Sequence, residues 1–297
     1  MKKTLLISLV MVATTQCVLA QFPLTDLYQY NYTSISPVFA GVDGQKITVM
    51  GTWCKACRGI GQPSGGFMGY ETSIDRINSG IGVNASMTQL GPGKDIFINI
   101  LYNYRLDLGN DQKLIFGTKF GIVRNSIDFT MYQPVDPNDP LLNAPTSASI
   151  MNPSLSLGVM YKRERFFVGL SVDNLLPKKE KFDAQGGETF GEYMLSIISG
   201  VDFKLGESLS STHSVYVIRI GGYTRADLNN TVLIKDWIIT GVSFSGDESG
   251  FYPKGNLGIR LKDKGQVVMM AYSKYRDVHK DFSGELMLQF NLGKGEK

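Results

Sequence analysis

The residues of this chain that could do metal or redox chemistry are few. Cys54 and Cys57 stand three positions apart in the stretch Cys54-Lys-Ala-Cys57, a spacing found in zinc sites, redox pairs and small disulfide loops. A four-thiolate zinc site needs two more cysteines, and the only other one is Cys17. A redox pair belongs at a helix N-terminus, which the glycine-rich surroundings do not favour. We predict a Cys54–Cys57 disulfide that shapes a loop in an oxidising compartment, with two free thiols as the alternative.

Two other groups of side chains could support chemistry. Asp136, Asn138 and Asp139 carry oxygen atoms that could begin a calcium site, but the prolines interleaved with them favour a stiff surface loop. The only histidines are His213 and His279, and an active site would have to use one of them with a serine and an orienting side chain. No G-x-S-x-G, H-E-x-x-H or P-loop motif occurs. We predict no enzymatic activity, no cofactor and no bound metal.

The N-terminus has the pattern of a secretory signal peptide. A short basic MKK precedes the apolar LLISLVMVAT, and Val18-Leu19-Ala20 supplies small residues before Gln21. We predict a signal peptide over residues 1–20, cleaved between Ala20 and Gln21. Removing its two lysines leaves 28 Lys and Arg against 27 Asp and Glu. The near-neutral mature chain has no basic excess that would indicate a nucleic acid partner.

The elements that must position these residues are strands, because the mature sequence alternates. In residues 95–108, Ile98, Ile100 and Tyr102 share one face, while Asn99 and Asn103 share the other. Later stretches repeat this period of two, and glycine or serine often takes the polar face: Gly117, Gly121, Gly158, Gly169 and Ser171. After the signal peptide, no apolar run approaches the roughly 20 residues of a spanning helix. Both observations indicate an all-β protein.

About fourteen antiparallel strands are predicted, an even number as in bacterial single-chain barrels. Lys235-Asp236 is the predicted tight turn that divides one long apolar stretch into two strands. The predicted spans are 45–53, 66–75, 80–88, 95–108, 112–125, 149–162, 165–175, 190–205, 212–222, 228–234, 237–245, 254–262, 266–275 and 282–292.

The connections between these strands help to distinguish a soluble β-sandwich from an outer-membrane barrel. Every second connection is predicted to be short, and the others, including 89–94, 223–227, 246–253 and 276–281, to be longer. Short periplasmic turns and longer extracellular loops are typical of transmembrane barrels, whereas a Greek-key sandwich does not separate them in this way. We predict a transmembrane outer-membrane β-barrel over residues 45–297, surrounded by outer-membrane lipid, after an N-terminal segment 21–44 that is either periplasmic or a plug.

Several stretches resemble the PorP/SprF family of the type IX secretion system. They are LGVMYKRERFFVGLSVDNLL around residues 157–176, YQYNYTSISPVFAG at 28–41, RGIGQPSG at 58–65 and MMAYSKYRD at 269–277. Ser36 stands where the family usually has Asn, and the sequence ends in an extra GKGEK. The similarity covers nearly all of the mature chain.

This resemblance implies a multi-pass barrel in the bacterial outer membrane that works with type IX secretion components. It implies either export of cargo proteins that carry a conserved C-terminal domain or their anchoring at the cell surface, with gliding adhesins as cargo in some members. The candidate cargo contacts are the long loops 54–65, 126–148 and 176–189. The alternative from the residues alone is a porin or transporter for small or apolar solutes.

Overall fold

The computed structural model contains one closed antiparallel barrel of fourteen strands. It describes residues 25–55, 63–131, 147–176, 178–180, 187–189, 192–248, 250–276 and 279–293. The barrel strands are β1 (Lys46–Lys55), β2 (Ser64–Ile74), β3 (Ser79–Leu90), β4 (Gly93–Gly109), β5 (Gln112–Asp128), β6 (Ser147–Arg163), β7 (Phe166–Asp173), β10 (Met194–Lys204), β11 (Leu209–Ile220), β12 (Tyr223–Ile234), β13 (Ile238–Asp247), β14 (Gly250–Arg260), β15 (Gly265–Arg276) and β16 (His279–Asn291). β8 (Lys178–Glu180) and β9 (Gly187–Thr189) form a separate two-stranded sheet between β7 and β10.

The described helices are all short 3₁₀ turns. None of them has the length and apolar character needed to cross a membrane.

The predicted strand count and the predicted faces are confirmed. Each of the fourteen predicted spans overlaps one barrel strand, and β1 pairs with β16 to close the sheet. Ile98 and Ile100 are 53% and 62% exposed on the outer surface, whereas Asn99 and Asn103 are buried in the interior. The apolar face therefore points outward, where lipid covers it, and the polar face lines the lumen. Closure leaves no unpaired strand edge in the hydrocarbon.

The two ends of the barrel differ in their connections. At one end, here called the turn end, β1 begins and β16 finishes, and the six connections are between two and four residues long. At Lys235 and Asp236 both φ angles are positive, 50° and 59°, as a tight hairpin turn between twisted strands requires. The predicted division of this stretch into β12 and β13 is correct.

The opposite end, here called the loop end, was predicted less well. Three connections are long, at 56–63, 129–146 and 174–193, as expected. The other four were predicted to be longer loops but consist of two residues each, at 91–92, 221–222, 248–249 and 277–278. The prediction was wrong there because the strands continue further than their apolar alternation does.

The outer surface also carries exposed aromatic side chains. Tyr102, Tyr104 and Trp237 are each more than 40% exposed on the outside of the barrel, in the half nearest the turn end. Tyr161 is partly buried and donates a hydrogen bond to Gln112. Aromatic rings at this level are typical of the membrane interface.

Candidate functional site: a segment held inside the barrel

Residues 25–44, here called the lumenal segment, lie inside the barrel. Leu27 and Val38 are fully buried although neither belongs to a strand. The segment consists of three 3₁₀ turns, Asp26–Tyr30, Tyr32–Ser34 and Pro37–Phe39. Its C-terminal end joins β1 at the turn end, and its N-terminal end lies towards the loop end. Residues 21–44 were predicted to be either periplasmic or a plug; of these, residues 25–44 lie in the lumen and residues 21–24 lie outside the described residues.

The first part of the segment, residues 25–30, is held mainly by charged and polar side chains and is here called the clamped half. The carboxylate of Asp26 accepts a hydrogen bond from the Lys254 ammonium at 2.5 Å and another from the Arg225 guanidinium. Arg225 also donates to Asp227 at 3.0 Å. Burial alone would raise the pKa of the Asp26 carboxyl, but the charges of Arg225 and Lys254 hold it well below its ordinary value. Asp26 therefore stays ionised at neutral pH.

The backbone of the clamped half is bound by a carboxylate from the barrel wall. The two oxygens of Glu285 accept the backbone N–H groups of Asp26, at 2.9 Å, and Leu27, at 2.8 Å. These N–H groups belong to the first turn of a helix and have no partner within it. The side chain of Leu27 packs in an apolar cluster that includes Met270 and Met287.

Two tyrosines extend this binding towards the turn end. Tyr28 donates from its hydroxyl to Asp227 at 3.2 Å and accepts from Asn229 at 2.7 Å. Tyr30 donates to Asn256 at 2.6 Å. Burial raises the pKa of the Tyr30 phenol to about 12, so the hydroxyl keeps the proton that it donates.

The second part, residues 35–41, is held by close packing and is here called the cradled half. Gly117 and Gly158 leave the space that Val38 fills, and a methyl group at Gly117 would lie 2.6 Å from the Val38 nitrogen. Asn103 donates to the carbonyl oxygens of Val38 and Ala40 at 2.9 and 2.6 Å. The predicted small residues on the inner face thus make room for the backbone of this half.

The cradled half ends at a carboxylate of β2. The Gly41 N–H donates to Glu71 at 2.7 Å, and Glu71 forms an ion pair with Lys46 at 3.3 Å. Lys46 also pairs with Asp43 at 3.3 Å. These contacts fix the point where the segment leaves the lumen and β1 begins.

Below the segment, a cavity of about 830 Å³ faces the turn end. On the side of the lumenal segment it is lined by Tyr30, Tyr32 and Phe39, and charged side chains such as Arg165 and Arg260 also line it. The segment thus separates this cavity from the loop-end part of the lumen.

The structure places the predicted site residues apart from this arrangement. Cys54, near the loop end of β1, is disulfide-bonded; Cys57 lies outside the described residues, so the Cys54–Cys57 pairing stays a prediction. The Asp136–Asp139 stretch and the side chain of His279 also lie outside them. His213 faces outward on β11, where its ring nitrogens lie 3.0 Å from the Ser211 hydroxyl and 2.9 Å from the Asn230 amide.

The sequence analysis did not identify two of the charged residues that hold the clamped half. Arg225 and Asp227 were assigned to a connection, 223–227, because charged residues interrupted the apolar pattern. They are inward positions of β12; Ala226 lies between them on the outward face, and Thr224 before them is outward too. Their spacing of two, the same as in the neighbouring strand, is the signal that could have identified them.

Comparison with solved structures agrees with the architecture. Omp33 of Acinetobacter baumannii, an outer membrane protein, is 7% identical; the match covers 84% of this chain and 98% of Omp33 with a TM-score of 0.50. The toluene transporter TbuX of Ralstonia pickettii is 9% identical; the match covers 87% of this chain and 92% of TbuX with a TM-score of 0.53. At such low identity these similarities show the fold alone.

Comparison with the curated proteins gives no match. The family comparison does: residues 18–289 match the type IX secretion system membrane protein PorP/SprF. This range includes nearly all of the barrel and the whole lumenal segment. The chain therefore belongs to the PorP/SprF family of type IX secretion system membrane proteins.

Proposed function

We propose that this outer-membrane barrel serves type IX secretion as a docking component and not as a conduit. The observation that carries the proposal is the lumenal segment, which contacts β4, β5 and β6 on one side of the lumen and β12, β14 and β16 on the other. A polypeptide could pass only if this segment left. The protein then assists export by binding its partners at the two ends of the barrel.

At the loop end, the proposed partner is a cargo protein that carries a conserved C-terminal domain. The proposed contacts are the three longest connections at this end, 56–63, 129–146 and 174–193. Binding by them would support either export of the cargo or its anchoring at the cell surface, including gliding adhesins. No step of this function requires catalysis, and we propose none.

Affinity purification from outer membranes tests this role. The tagged full-length protein would be isolated, and co-purifying chains would be identified by mass spectrometry, in cells with and without the secretion translocon. We expect secreted proteins with a shared C-terminal domain, or other type IX components, to co-purify. Replacing each long connection in turn should remove the cargo. Recovery of the barrel alone from both strains would contradict the proposal.

A transporter for small or apolar solutes is the second candidate, favoured by the barrel fold shared with TbuX. It requires a path through the lumen. Liposome swelling with solutes of graded size separates the two functions, because a docking component should give no size-dependent swelling. Swelling that falls steadily with solute size would favour the transporter.

A further inference from the structure

The wall that holds the clamped half has the properties of a peptide-binding site. We infer that Arg225, Asp227, Lys254 and Glu285 form a site for acidic–aromatic peptide segments, and that residues 25–30 are its resident, exchangeable ligand. This site lies in the lumen, so the inference is independent of the proposed loop contacts with cargo.

The site recognises particular chemical groups of a peptide. Arg225 and Lys254 bind a carboxylate, and Glu285 accepts hydrogen bonds from two consecutive backbone N–H groups. A ligand therefore needs an acidic residue at the first turn of a helix and no proline at this residue or the next. The four wall residues are all more than nine-tenths buried. Arg225 and Lys254 also pair with Asp227, at 3.0 and 3.7 Å, and the carboxylate of the ligand adds a second anion beside these two cations.

The side chains that follow the acidic residue are also recognised. An apolar side chain one residue later enters the pocket lined by Met270 and Met287. The hydroxyl of a tyrosine two residues after the acidic residue donates a hydrogen bond to Asp227 and accepts one from Asn229. The ligand class is thus a peptide with the order acidic, apolar, tyrosine.

Two features make the resident ligand exchangeable. Its polar contacts with the wall are hydrogen bonds and ion pairs, which a second peptide with the same order of side chains could form in its place. The cavity of about 830 Å³ lies directly beneath Gln29, Tyr30 and Tyr32 and gives the segment space to move into.

The test uses the full-length chain with a charge reversal in the resident ligand. Asp26→Lys places an ammonium beside Arg225 and Lys254 and should expel the clamped half while leaving the wall intact. A fluorescent peptide of residues 25–34 is then titrated against the purified variant and the wild type. We expect binding about tenfold or more tighter to the Asp26→Lys protein, because only there is the site vacant.

Asp43→Lys is the matched control. It makes the same charge change in the same segment, but the Asp43 side chain is 61% exposed and lies outside the clamped half. This variant should bind the peptide no better than the wild type. A peptide with Asp26→Asn, and a barrel that combines Asp26→Lys with Lys254→Met, should both show weakened binding.

Folding is checked by heat-modifiable gel migration, which distinguishes closed barrels from unfolded chains. If Asp26→Lys does not fold, the same titration with Asp26→Asn in the full-length chain replaces it, with Asp43→Asn as its control. The inference is wrong if a folded variant fails to bind the peptide more tightly than the wild type. It is also wrong if the peptide binds equally well with asparagine in place of Asp26.

Discussion

The two halves of the lumenal segment are buried by different means. The clamped half depends on ions and hydrogen bonds from β12, β14 and β16, whereas the cradled half fits its backbone against glycines of β5 and β6. A buried charge is stable only while it keeps a partner of opposite charge. Close packing leaves no room for water or for a different peptide. One segment thus combines an end that can be exchanged with an end that stays in place.

The largest effect on the lumenal segment is expected from removing an ion pair that holds the clamped half. Arg225→Met leaves Asp26, Asp227 and Glu285 with Lys254 as their nearest cation, and removing one partner of a buried ion pair costs about 3–5 kcal/mol. We expect the clamped half to leave the wall and the variant to show frequent channel openings in planar bilayers, where the wild type shows few.

Arg219→Met is the control for this variant, because Arg219 is an exposed arginine on the neighbouring strand. It should retain the low conductance of the wild type. Equal conductance of the wild type and the Arg225→Met variant would show that the clamp does not hold the segment.

A smaller effect is expected from overpacking the glycine positions against which the cradled half lies. Gly117→Ala places a methyl group 2.6 Å from the Val38 nitrogen, and overpacking of this kind costs about 1–3 kcal/mol. We expect a lower free energy of unfolding in urea, measured by tryptophan fluorescence. Gly51→Ala, where a methyl group meets nothing within 4 Å, should leave it unchanged; equal losses would mean that the cradle is not closely packed.

A still smaller effect is expected for the hydrogen bonds of one hydroxyl in the clamped half. Tyr30→Phe removes the hydroxyl that donates to Asn256 at 2.6 Å and accepts from Thr231 at 3.3 Å, and one such bond contributes about 0.5–1.5 kcal/mol. Channel openings should become slightly more frequent than in the wild type. The outward-facing substitution Tyr104→Phe should not change them, and a larger change than in Arg225→Met would reverse the proposed order of contacts.

The smallest effect belongs to the ion pair between the exposed Asp43 and the buried Lys46 at the exit from the lumen. Asp43→Asn removes one partner of Lys46, but Glu71 remains beside that ammonium at 3.3 Å. Because Asp43 is exposed, we expect its pair to contribute about 0–1 kcal/mol, so the urea midpoint should shift by less than it does in Gly117→Ala. A larger shift would place the anchor of the segment at Asp43.

Alternation in the sequence was enough to predict the barrel, because each strand meets lipid on one face and a polar lumen on the other. Asn99 and Asn103 were correctly assigned to the polar face by this argument. Arg225 and Asp227 were not, since Asp26, an anionic partner of Arg225, lies 199 residues away in the sequence and nothing local indicates that it compensates the charge of the guanidinium. The small residues Gly117 and Gly158 were predicted to face inward, but the sequence does not show that Val38 fills the space beside them.

Hydrogen–deuterium exchange of the full-length protein tests the difference between the two halves most directly. Amides of residues 26–30 and of residues 35–41 would be compared in the same sample by mass spectrometry. Our account predicts faster exchange in residues 26–30, because that half opens while the cradled half remains packed. Slower exchange in residues 26–30 than in residues 35–41 would contradict it and would make the charged clamp the fixed end of the segment.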